Sequence, residues 1–228
     1  HIQPYYTDLS LRQLRAHRDA AVGHHRHADL HHPLQAAAAH PVKLRARVTV
    51  YDPAWTVLFV DDHSSGIFVF TRSLEHPMPA CRPGDLVEID GETSPGEFAP
   101  VIAAHRLTIA GHGPLPAPRN LPLDQLVSGR EDSQFVEMTG VVRTMSRDDA
   151  DHLVLEIVAG HERIPAFVPA IGTQQIPAGL GVDALIRVRA VVGTRFNAKR
   201  QMADIQLFIP TLEHVSVESP AAADPFPL

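Results

Sequence analysis

Val42, Leu44, Ala46, Val48 and Val50 alternate with Lys43, Arg45, Arg47 and Thr49. A period of two sends apolar side chains to one face of a strand and polar ones to the other. Residues 57–60 form a short apolar run ended by Asp61 and Asp62. Residues 67–70 form another, after the turn signal Ser64-Ser65-Gly66. Past a loop carrying Pro77, Pro79, Pro83 and Gly84, Val87 and Ile89 alternate with Glu88 and Asp90. Ser94-Pro95-Gly96 marks a further turn, and residues 101–109 read as a fifth strand. No helical pattern here is long enough to cover a parallel sheet, so antiparallel pairing is expected.

The second half repeats this order. Val136, Met138, Gly140 and Val142 alternate with Glu137, Thr139 and Arg143. Leu153, Leu155 and Ile157 follow an acidic turn at residues 148–151. Residues 164–168 make a third strand, where Pro165 predicts an edge because it has no backbone donor. A Pro/Gly loop with one helical turn is expected over 169–183. Ile186, Val188 and Ala190, then Ile205, Leu207 and Ile209, close the set. Both halves carry a Leu-x-Leu-x-Gln-Leu prefix, at residues 9–14 and 121–126, read as a short helix plugging one end of a barrel. Val42 follows Leu14 by 28 positions, whereas Val136 follows Leu126 by 10. Repetition of a whole unit is the strongest organisational signal in the chain.

Five strands with a loop between the third and fourth predict an all-β chain of two tandem OB-like antiparallel β-barrels, each preceded by a short helix. Other small barrels and sandwiches share the pattern. The expected segments are an N-terminal helix and His-rich insert (1–41), a first barrel (42–111), a Pro-rich connector (112–120), a second barrel (121–217) and an exit linker (218–228). Prolines fix φ and remove donors, so the connector reads as stiff.

Composition narrows the function classes. Of the 228 residues, 44% are hydrophobic and 20% charged, as expected of a folded chain. The net charge is −6 and Lys43 and Lys199 are the lysines, which argues against nucleic acid as a partner. A single cysteine, Cys81, excludes an internal disulfide and reads as a small buried residue. No run approaches the length of a membrane span and no leader is visible at His1, so the expectation is a soluble chain, or a soluble part of a membrane protein.

Several clusters carry candidate chemistry. His24, His27 and His31 would share one helix face, and neutral imidazole ligates zinc, copper or nickel. The plainer reading is a solvated, biased segment that binds such metals only opportunistically, so no cofactor is expected. Asp148, Asp149 and Asp151 lack the spacing and closing glutamate of a calcium loop. In OB-type barrels the loop between strands four and five commonly faces a ligand, and here these loops hold Phe98 in one half and Arg195, Phe196, Asn197, Lys199, Arg200 and Gln201 in the other. Arginine beside amides could clamp a carboxylate or phosphate; alternatively these side chains satisfy a long hairpin. Trp55 reads first as a core plug and second as an exposed stacking platform. Nucleophile elbows, zinc-protease and phosphate-loop signatures are absent, so no catalysis is expected.

Tyr51-Asp52-Pro53-Ala54-Trp55, Leu58-Phe59-Val60, Pro83-Gly84-Asp85-Leu86-Val87-Glu88 and Pro95-Gly96-Glu97-Phe98-Ala99-Pro100-Val101-Ile102 form one part of a larger set. The other part is Gly129-Arg130-Glu131-Asp132-Ser133-Gln134-Phe135-Val136-Glu137, Phe196-Asn197-x-x-Arg200-Gln201 and Asp224-Pro225-Phe226. Together they resemble the extracytoplasmic sensor region of bacterial membrane-bound two-component sensor histidine kinases, over nearly the whole chain. The resemblance implies a periplasmic input module, joined through flanking helices to a membrane and a kinase core. It also implies a small ligand or extracytoplasmic protein as partner, and it allows a homodimer. It transfers nothing to the histidines. The alternatives are an OB-fold single-stranded nucleic-acid-binding protein and a structural adaptor.

Overall fold

The long alternating strands have to serve two neighbours each, and a single extra residue makes that feasible. In the computed structural model, which describes residues 39–95, 100–196 and 202–221, β1 (Pro41–Asp52) pairs with β4 (Asp85–Ser94) through residues 41–47 and with β2 (Val57–Asp61) through residues 47–52. Its register slips between Val48 and Val50, leaving Thr49 as a bulge. A bulge bends a strand and increases its twist, so β1 can turn the corner between the two pairings. β3 (Gly66–Phe70) and β5 (Val101–His112) complete a closed barrel in the order β1-β2-β3-β5-β4.

The second unit repeats the device. β7 (Phe135–Arg147) pairs with β10 (Leu185–Phe196) through residues 135–141 and with β8 (Leu153–Ala159) through residues 141–147, slipping between Val142 and Thr144. With β9 (Glu162–Val168) and β11 (Met202–Phe208), the β10–β7 pairing closes the same cycle. The chain divides between Pro116 and Ala117 into two compact units. The chain is thus all-β, with two OB-like barrels in tandem.

Within each five-strand cycle the pairing is antiparallel except at one place, where β3 meets β5 and β9 meets β11 in parallel. The long loop after the third strand returns the chain across the barrel, so the fifth strand arrives running the same way as the third. β9 therefore has two neighbours, but its ladder to β11 begins only at Ala166. Pro165 lies in the stretch paired on one side alone, where a missing donor is tolerated.

Each barrel has its own core. Val42, Leu44, Val48, Leu58, Val60, Val69, Val87, Ile89 and Ile102 are buried in the first, with Cys81 among them. Burial pushes the Cys81 thiol up to about 11, with the Asp85 charge adding to the effect, so this group is an inert hydrophobe. Leu155, Ile157, Ile164, Ile186, Val188 and Leu207 fill the second, together with Leu126 from α1 (Leu123–Leu126). Among the described residues this is the α-helix that precedes a barrel; the matching prefix at 9–14 lies outside them. The loop over 169–183 forms turns without a helical one.

Two short strands were not expected. β6 (Arg119–Asn120) lies parallel to β7, and β12 (Val215–Ser219) pairs with residues 185–188 of β10 after a 3-10 turn at Leu212–His214. β12 takes up the edge of β10 where β11 leaves it.

The motif over 129–134 is structural. Gly129 has φ +74°, a left-handed conformation that glycine adopts without strain just past a helix end. Glu131, buried, accepts a hydrogen bond from Gln125 Nε2 at 3.0 Å and faces Arg119 at 3.7 Å. Asp132 Oδ1 accepts the Thr194 N–H at 2.8 Å, and the Ser133 N–H reaches Val192 O at 2.7 Å. These bonds strap the segment after the helix to β10.

Candidate functional site

Four side chains of β2 and β3 point into the first core: Leu58, Val60, Ile67 and Val69. Alternation then sends Val57, Phe59, Phe68 and Phe70 to the outer face. Phe59 and Phe68 are directly opposed in the ladder and meet edge-on, with ring centroids 5.3 Å apart. Phe70, at the end of β3, is 38% exposed. The Arg72 guanidinium carbon lies 5.8 Å from its ring centroid, within reach of a cation–π contact.

The β1–β2 turn flanks the same end of this face. Opposition of Phe59 and Phe68 places the end of β3 beside the start of β2, which the turn enters. Asp52, buried, accepts the Ala54 N–H at 2.9 Å and so ties the turn to the strand that leads into it. Thr56 takes φ +57° to close the turn. Trp55, carried at its tip, is 39% exposed. The core-plug reading is therefore corrected: the turn is too short to fold the indole back into the barrel, and Asp52 holds it outward. Phe70 and Arg72 lie at this end of the face, and the turn that carries Trp55 leads into the strand beside them.

The corresponding face of the second barrel is different. Arg163 on β9 meets Glu156 on β8 at 2.6 Å. Its β7–β8 turn is acidic and satisfies itself. Asp148 accepts the N–H groups of Ala150 and His152, each at 2.9 Å, and the His152 Nδ1–H at 2.7 Å. Desolvation pushes the Asp148 carboxyl up, but these His152 and Ala150 bonds outweigh it and hold the group below the usual aspartate range. Asp151 is engaged by Arg147 at 3.2 Å and by the Gly172 N–H at 2.6 Å.

Arginines on β10 are neutralised in the same way: Arg187 by Glu218 at 3.2 Å, Arg189 by Glu137 at 2.8 Å and Arg195 by Asp204 at 3.4 Å. Arg143 pairs with Asp183. Every arginine on a described strand of the second barrel thus has a carboxylate partner.

Of the residues expected to bind, Trp55 is exposed at the tip of the β1–β2 turn and Arg195 lies in an ion pair. Phe196 ends β10 with its side chain undescribed, and Phe98, Asn197, Lys199, Arg200 and Gln201 lie outside the described residues. So do His24, His27 and His31. Among the described residues no cluster of three or more metal-ligating side chains occurs, and no helix is long and apolar enough to cross a membrane. Sequence reasoning missed Phe70 and Arg72. Residues 67–70 are apolar at every position, so the pattern does not show which of them face outward.

No described protein family matches the chain, and no curated protein does. Solved structures with similar folds include an aspartyl tRNA synthetase from Entamoeba histolytica, 15% identical over 49% of this chain with a TM-score of 0.35. This chain spans 23% of that protein. A murine DNA-binding protein bound with double-stranded DNA is 13% identical, with a TM-score of 0.34, over 81% of this chain and 98% of its own. A replication protein A heterotrimer bound to single-stranded DNA is 13% identical, with a TM-score of 0.25, over 39% of this chain and 58% of its own. Two of these three are described as DNA-bound. The expectation drawn against nucleic acid is withdrawn. Its physical flaw is plain: net charge sums the whole chain, whereas binding is decided on one face, and several carboxylates here already face a neighbouring arginine.

Proposed function

We propose that the chain is a non-catalytic binding module whose first barrel offers a stacking surface to single-stranded nucleic acid. The observation that carries this reading is the exposure of two rings, Phe70 at the end of β3 with Arg72 over it, and Trp55 on the turn that leads into β2. Every base has a π-face, and stacking on an aromatic side chain contributes about 1–3 kcal/mol per base without regard to sequence. Double-stranded DNA hides those faces, so an unpaired strand fits better.

The test uses an internal probe, since Trp55 is the sole tryptophan. Titrating a short oligothymidylate is expected to quench its fluorescence. Trp55→Ala, followed by anisotropy of a labelled strand, is expected to weaken binding roughly 10- to 100-fold, the equivalent of one lost stack. Absence of both quenching and anisotropy change would rule the reading out.

A second reading places the module in a sensor histidine kinase. It is supported by the motif resemblance, whose 83–88 and 129–137 segments lie at β4 and at the entry to β7. Under it, a stimulus must favour one of two arrangements of the module. A reading frame that continues past Leu228 into an apolar helix and a kinase core is the expected support; a stop there removes it.

A further inference from the structure

We infer that His76 is a proton-sensitive latch that holds residues 76–80, in the loop between β3 and β4, against β5; this stands apart from either reading of function. The β3–β5 ladder ends at Ala103, so beyond it β5 keeps β4 on one side and has no strand on the other. The loop takes that place. Glu75 donates its N–H to the His105 carbonyl at 2.9 Å, and the Leu107 N–H donates to His76 Nε2 at 3.1 Å. A carbonyl oxygen only accepts, so the 2.9 Å contact between His76 Nδ1 and the Pro77 carbonyl puts the ring proton on Nδ1. Both ring nitrogens are thus assigned, and the latched imidazole is neutral. A second proton, on Nε2, removes the acceptor and sets one N–H against another.

His76 is only half-buried, so solvent protons reach it. The charges around it act in opposite directions. Arg106, on the β5 wall of the groove that His76 lines, opposes a second proton; Glu75, the preceding residue, and Asp90, opposite Arg106 on β4, favour one. His105 faces Glu92 at 3.9 Å. The latched ring carries one proton and the released ring takes two, so acid favours release. Release is local, because the Glu75 bond and the buried Cys81 bracket the segment without a titrating acceptor. Between them lie Pro77, Met78 and Pro79, of which Met78 packs on the core. Pro77 and Pro79 form one wall of a groove whose other wall includes Ile109, 43% exposed, so release widens access to this apolar edge. In the second barrel, the Ala221 N–H ties the strand end to the Gly179 carbonyl of the loop before β10, a backbone bond that protons do not touch.

Hydrogen exchange of the full chain at pH 7.5 and pH 5 tests the latch, with protection taken relative to a free amide at the same pH. Leu107 protection is expected to fall about tenfold at pH 5, the equivalent of one hydrogen bond, while Glu75 keeps its protection. His76→Gln offers an oxygen that accepts the Leu107 N–H and does not titrate, and is expected to abolish the pH dependence at Leu107. Nitrogen shifts of the His76 ring at pH 7.5 are expected to show the proton on Nδ1. Equal Leu107 protection at both pH values, an equal fall at Glu75, or the proton on Nε2 at pH 7.5 each overturn the latch. So does a His76→Gln protein whose Leu107 amide still responds to pH. If that variant does not fold, the contrast between Leu107 and Glu75 in the parent and the ring shifts decide alone.

Discussion

In the first barrel the last strand runs unbroken from Val101 to His112, whereas in the second its counterpart is divided into β11 and β12 around the turn at Leu212–His214. The cycle of pairings is nevertheless the same, and so is the bulge on the long first strand. Even the entry to the fourth strand matches. Gly84 and Asp183 both take positive φ, and each donates its N–H to the equivalent strand residue, Val48 or Val142, at 2.8 Å. Where the units diverge is on their surfaces. The second sets its arginines against carboxylates and its acidic turn largely on itself; on the first, Trp55 and Phe70 are each more than a third exposed and Arg72 lies over the Phe70 ring. Closure of a barrel is set by register and bulge, which tolerate a broken strand. The outward side chains, which closure does not constrain, are where the two units are free to differ.

The comparison is broken most forcefully at one core position. Ala46 on β1 faces Val87, and Gly140 on β7 occupies the matching place opposite Ile186. A methyl group fits in the first barrel, where Ala46 is buried. At Gly140 it would lie 2.5 Å from Ile157 Cγ2 and 2.8 Å from the Val158 carbonyl. The isoleucine can turn away, but the backbone oxygen cannot. Gly140→Ala is expected to destabilise by about 3 kcal/mol, at the upper end of ordinary overpacking. A urea midpoint unchanged from the parent would show that the second barrel is looser than the first.

A smaller effect is expected from the loop straps. The first barrel pins the loop before β4 through Asp85, which accepts the Arg82 N–H at 2.8 Å and contacts His112 Nδ1 at 2.9 Å. The second pins the segment before β7 through Asp132 and Thr194. Asp132→Ala leaves the Thr194 donor without its acceptor and is expected to cost about 2 kcal/mol, as for a hydrogen bond to a charged group. Faster hydrogen exchange at Thr194 is the local readout. If stability and exchange stay at parental values, the 129–134 segment is not a strap.

Much of this was legible in advance. The alternation over 42–50 and 136–143 fixes which side of β1 and β7 is buried, and the shared prefix marks the repeat. β12 was legible too, since Val215 and Val217 alternate with Ser216 and Glu218, but Ile205, Leu207 and Ile209 already filled the expected quota of strands. The binding face was harder. Trp55 is ambiguous in sequence because an indole serves equally well inside or outside, and only the length of its turn and the Asp52 bond decide. Arg187, Arg189 and Arg195 look like free cations until the ladder sets Glu137, Asp204 and Glu218 beside them. Pairing across strands is tertiary information that no local pattern contains.

The broken strand also gives the second barrel a titration of its own. His214 sits in the 3-10 turn, with its ring edge-on to Phe135 at 6.3 Å and its Nδ1 2.9 Å from Thr211 Oγ1. Burial is the main influence and lowers its pKa; Arg189 acts in the same direction, while Glu213 and Thr211 oppose. A histidine depressed in the folded state binds fewer protons there than in the unfolded chain. Its contribution is therefore intact above the ordinary value of 6.5 and is lost as pH falls from there toward the folded value. His214→Phe keeps an aromatic ring against Phe135 and removes the titration. The variant is expected to show a flatter fall in stability than the parent between about pH 6.5 and 5, with little difference at pH 8. Urea midpoints of both proteins at the three pH values measure this directly, because the two differ at this one side chain. Parallel curves would mean that the turn at Leu212–His214 opens to water in solution, and the split strand would then be a weak seam in the second barrel rather than an equivalent of β5.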